Sequence, residues 1–100
     1  MDEKRRMAWL GDAILALYTR EWLLEAPLPK GCDPQQVFPL VTSNQFLSGI
    51  EEPTRFEARI GKAYKNGGLA EAVAILDAEL KPRLHKQVSQ LKQPGKKSSK

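Results

Sequence analysis

Two carboxylates occupy positions where a helix ordinarily carries something else. Asp12 lies in a segment of helical spacing, and its neighbours at −4, −3, +3 and +4 are Ala8, Trp9, Leu15 and Ala16, all apolar. Aspartate is a poor helix former and is rarely buried without a partner. One reading is therefore a structural ion pair, with Arg5 two turns earlier as the partner. The other is a metal ligand or a catalytic acid. Gly11 sits directly before it. A glycine inside a helix costs about 1 kcal/mol relative to alanine and is tolerated where another backbone or a ligand must come close. The second carboxylate, Glu57, has Thr54 and Gly61 at −3 and +4, which leaves room beside it. Two helix-borne carboxylates that converge make an oxygen-ligand site suited to Mg²⁺, an ion that keeps several waters and needs few protein ligands. Spacing within each helix leaves the convergence itself open.

The elements that must position these groups are helical throughout. Met7, Leu10, Ile14, Leu17 and Tyr18 follow the period of one helix face, and Ala8, Trp9, Leu15, Ala16 and Leu23 make the opposite side apolar as well. A helix apolar nearly all round is buried on most sides, so Trp9 and Trp22 are expected in the core or in a dimer contact. Pro27, Pro29 and Gly31 end this helix. Asp33-Pro34 starts the next, with a capping carboxylate followed by proline at the first helical position. Pro39 interrupts that segment, so the spacing predicts a short helical turn and then a second helix to about Ser48. Glu52-Pro53 opens a further helix with Phe56, Ile60, Ala63 and Tyr64 inward and Arg55, Arg59 and Lys62 outward. Asn66-Gly67-Gly68 stops it. The last helix carries Leu69, Ala72, Val73, Leu76 and Leu80 on one stripe. Leu84, Val88 and Leu91 continue the stripe after a kink at Pro82. No alternating pattern, hairpin signal or internal repeat interrupts this series. The expected fold is a compact, all-α helical domain over residues 1–92, with 93–100 as a disordered basic tail.

Composition narrows the class of partner. The chain has 100 residues and a formal net charge of +4. That total hides a division: through Leu80 there are 9 Lys+Arg against 12 Asp+Glu, and from Lys81 onward 7 Lys+Arg and no acid. An acidic body with a basic end suggests a polyanion, nucleic acid first, or else a solubilising tail. No apolar run approaches the roughly 18 to 20 residues that span a bilayer. The N-terminal charges and apolar stretch lack a small-residue cleavage pattern and contain Asp12, so a signal peptide is not expected. Cys32 is the single cysteine, so no internal disulfide is expected, and with His85 alone it makes no zinc site. A cytoplasmic protein without a membrane partner is expected.

The motifs taken in order resemble a family. Met7-Ala8-Trp9-Leu10-Gly11-Asp12-Ala13 looks like the signature helix of ribonuclease III domains, whose core is a Leu-Gly-Asp-Ala run. Leu40-Val41-Thr42-Ser43-Asn44-Gln45 resembles the stretch before that family's second motif. Phe56-Glu57-Ala58-Arg59-Ile60-Gly61, followed by Tyr64 and Asn66-Gly67-Gly68-Leu69, resembles the second acidic motif and the turn after it. The likeness covers roughly residues 5 to 80. Two other acids of the family correspond to Arg5 and Thr54, which brings the pattern closer to Mini-ribonuclease III, the bacterial branch without a double-stranded-RNA-binding domain. That branch shares the Ala-aromatic pair, here Ala8-Trp9, and a Thr-x-Phe-Glu-Ala run, here Thr54 to Ala58. Only 45 positions separate Asp12 from Glu57. The family's longer interval holds another helix and a basic loop.

The resemblance implies an all-helical homodimer that cleaves double-stranded or structured RNA with Mg²⁺, Mn²⁺ being a substitute, and a ribosomal RNA precursor is one such substrate. It carries the metal and catalytic roles onto Asp12 and Glu57. Lys4, Arg55, Arg59, Lys62 and Lys65 are the candidate phosphate contacts, and a merely solvated face is the alternative for each. Arg5, Thr54 and the short interval motivate a different expectation, a catalytically inactive protein of this fold that binds structured RNA or a ribonucleoprotein. A helical dimerisation module with no RNA partner is the third.

Overall fold

A computed structural model describes residues 1–91; the tail expected at 93–100 lies outside the described residues. Helix α1 spans Glu3–Glu25, capped by Asp2, whose carboxylate accepts from the Arg5 backbone N–H. It ends where the proline-rich loop begins, and Gly31 supplies a positive φ of 88° in that loop. Helix α2 (Pro34–Val37) starts on the Asp33 cap and passes directly into a 3₁₀ turn, Phe38–Val41, which takes up Pro39 near its start. Helix α3 (Asn44–Leu47) is capped by Ser43 and is a single turn, ending close to the expected end at about Ser48.

Helix α4 (Pro53–Gly67) opens on Glu52, whose side chain accepts from the backbone N–H groups of Thr54 and Arg55 at 3.1 and 3.0 Å. Gly68, at φ +83°, donates its N–H to the Tyr64 carbonyl and turns the chain into α5 (Leu69–Ile75). Leu76–Leu80 then form a π-helical turn, closed by the Lys81 N–H on the Leu76 carbonyl, before α6 (Lys81–Ser89). This wider turn stands directly before the Pro82 turn, where the sequence predicted an interruption of the helix. Proline cannot donate to the preceding turn and its ring needs space there, and a wider turn provides both. The described residues contain no strand. The all-α class is as expected.

α1 and α4 pack against each other along most of their length and frame the core. Leu15 and Leu23 of α1, Phe56 and Ile60 of α4, and Leu76, Leu80 and Leu84 after them belong to one buried apolar cluster. The buried side of α1 is Met7, Ala8, Gly11, Leu15, Thr19 and Leu23. Its outer side is open: Trp9 is 70% exposed, Leu17 50% and Leu24 74%. The burial on most sides expected of α1 therefore does not occur within one chain, and Trp9 is not a core residue. Trp22 does pack against the core and meets His85 edge-on at 5.1 Å between ring centroids. Tyr64, expected inward, lies on the exposed surface of the last turn of α4. No helix of the described residues is long and apolar enough to cross a membrane.

Candidate metal centre

The site begins with two glycines. A Cβ placed on Gly11 would overlap the backbone carbonyl oxygen of Glu57, and one on Gly61 would overlap that of Met7. The two helices thus cross backbone on backbone, each supplying the glycine that admits the other. Each glycine also forgoes about 1 kcal/mol of helix propensity, a loss that the close approach accounts for. Asp12 follows Gly11 directly, and Glu57 stands one turn before Gly61. The crossing brings their side chains together.

Asp12 is exposed and Glu57 half-buried, and the Glu57 carboxyl, when protonated, donates a hydrogen bond to Asp12. Burial, the Asp12 charge and that hydrogen bond, with a smaller push from Glu52, raise the Glu57 carboxyl from its ordinary 4.5 to about 7. Two carboxyl groups in contact cannot both ionise freely, so Glu57 keeps its proton on the acid side of neutrality. Among the described residues no cation forms an ion pair with either carboxyl; the ion pairs there are Arg55–Glu51, Arg59–Glu51 and Arg59–Glu79. The structural pairing with Arg5 that the sequence left open is not formed. A divalent cation fits this donor set chemically: it would displace the Glu57 proton and remove the repulsion. Among the described residues no group of three or more His, Cys, Asp or Glu side chains is arranged to hold a metal, so water would complete the shell.

The candidate phosphate contacts fall into different environments. Lys4 lies on the first turn of α1 and acts electrostatically on Glu52, whose carboxyl is lowered first by the Thr54 backbone hydrogen bond and to a smaller extent by Lys4. Arg55 is exposed and 3.9 Å from Glu51. Lys62 and Lys65 are exposed on the outer face and last turn of α4. Arg59 is engaged: it donates to Glu51 and Glu79 and lies 5.8 Å from the centre of the Phe56 ring. These hydrogen bonds raise its pKa and fix the guanidinium against α4 and the π turn.

Two contributions were missed by sequence reasoning. Glu52 was read only as a helix opener, yet it is a third negative charge acting on the pair. Its position five residues before Glu57 was the available signal. Glu79, 20 residues beyond Arg59, gave no local signal at all. A further cross-helix contact, Tyr18 Oη donating to Asp77 at 2.6 Å, ties α1 to the π turn.

No known family model, curated protein or solved structure matches this chain.

Proposed function

We propose that the protein is a Mg²⁺-dependent endoribonuclease of ribonuclease III-like fold, acting as a homodimer on double-stranded or structured RNA, with Mn²⁺ able to replace Mg²⁺. The observation that carries this reading is the Asp12–Glu57 pair: two carboxyl groups brought together at a backbone crossing, with no ion pair to either among the described residues. A like-charge contact of this kind works against folding, and a site for a divalent ion gives it a purpose. In this reading Asp12 and Glu57 would hold the metal, which when bound activates a water and stabilises charge on the scissile phosphate.

What the chain's own residues do follows from their geometry. Glu57 must release its proton before it can ligate, and with a pKa of about 7 the proton competes with the metal on the acid side of neutrality. Gly11 and Gly61 set the spacing of the two carboxylates. Lys4, Arg55, Lys62 and Lys65 supply phosphate contacts whose strength falls steeply with salt, and Arg59, already held by two carboxylates, adds the least to them. Duplex RNA is recognised by shape and 2′-hydroxyls, so no base-reading motif is required. The open line of Trp9, Leu17 and Leu24 along α1 supports the homodimer, since a second copy would cover it. A cytoplasmic location is part of the same proposal.

One observation favours a second reading, an inactive protein of this fold that binds structured RNA or a ribonucleoprotein. Among the described residues no third ligand-type side chain joins the two carboxyls in a metal-holding group, and Arg5 and Thr54 stand where the resembled family has acids. Incubation of a duplex RNA with the protein and Mg²⁺ or Mn²⁺ separates the two. Cleavage abolished by Asp12→Asn and by Glu57→Gln is the expected result. Retention of RNA in a gel shift without cleavage at any metal concentration establishes the second reading instead. Cleavage that survives both substitutions removes the site from the nuclease.

A further inference from the structure

We draw no further inference here: the strongest candidate, the groove beside the C-terminal half of α1 walled by Tyr18, Trp22, Glu21, Glu25, Asp77 and Lys81, sets carboxylates and one lysine beside two aromatic rings, and nothing in the structure marks a ligand that enters it.

Discussion

Helix α4 carries two charged junctions two residues apart, and they are built in opposite ways. At Arg59 one guanidinium meets two carboxylates, Glu51 and Glu79, so that opposite charges hold α4 to the chain before and after it. At Glu57 a carboxyl meets another carboxyl, Asp12, with a third acid behind it and no cation in the contact. The first junction accounts for itself as structure. The second costs stability once both groups ionise, and the two glycines that create it relinquish helix propensity to do so. Charge that is compensated reads as architecture, and charge that is brought together uncompensated reads as a place for a ligand.

The largest expected effect is on activity. Asp12→Asn and Glu57→Gln should each lower RNA cleavage by roughly 1,000-fold, about 4 kcal/mol of transition-state stabilisation, while circular dichroism stays unchanged. Glu79→Gln, at the other junction, should leave cleavage within about two-fold. If Glu79→Gln instead abolishes cleavage as fully as Asp12→Asn, the contrast between the junctions is void.

Next in size is the crossing. Gly11→Ala places a methyl against the Glu57 carbonyl, with backbone on both sides and no flexible chain to yield. Despite better helix propensity, it should destabilise the protein by about 2 to 3 kcal/mol, a drop in Tm of roughly 10 to 20 °C. Gly67→Ala, where the nearest atoms belong to the flexible Glu71 side chain, is the control that should cost far less. Equal Tm values for the two variants would contradict the close crossing.

The third effect depends on pH and has a definite sign. The folded pKa of Glu57, about 7, lies above its ordinary value of 4.5, so the native state binds the extra proton in that interval. Stability without metal should therefore fall as pH rises from about 4.5 to 7, the reverse of an ordinary salt-bridged carboxylate. Asp12→Asn should flatten the fall, and millimolar Mg²⁺ should offset it at pH 7 and above. Chemical denaturation across this range measures it. A stability that rises between pH 5 and 7 with a normal slope in both proteins excludes the like-charge pair as its cause.

The smallest effect belongs to the compensated junction. Glu79→Gln removes one partner of a half-exposed pair and leaves Glu51 in place, so about 0.5 to 1 kcal/mol of stability should be lost. A loss of 3 kcal/mol or more in urea unfolding would show that this junction carries more of the fold than its exposure suggests.

Much of the frame was legible because its boundaries are local. Asp33 and Glu52 at helix starts, Pro34 and Pro53 directly after them, and the Asn66-Gly67-Gly68 stop beyond α4 all act within a few residues of their own position. The inward side of α1 was not legible. Both of its sides are apolar, so periodicity could not tell the core face of Leu15 and Leu23 from the open face of Trp9, Leu17 and Leu24. At the site, the residue types and the meaning of Gly11 were readable, since a glycine inside a helix announces a close approach. Which backbone approaches was not, because Glu57 lies 45 positions away. Arg59 shows the same limit: its outward position was foreseen, but its partner Glu79 comes from a turn whose π geometry no local pattern encodes.

The most direct test of the central claim is the titration of the Glu57 side-chain carboxyl by carbon-detected NMR, with and without Mg²⁺. The expected result is a midpoint near 7 in the absence of metal, a marked downward shift when Mg²⁺ is added, and in Asp12→Asn without metal a partial fall, the part caused by burial remaining. A midpoint at the ordinary value in the unsubstituted protein, unmoved by Mg²⁺, would contradict it.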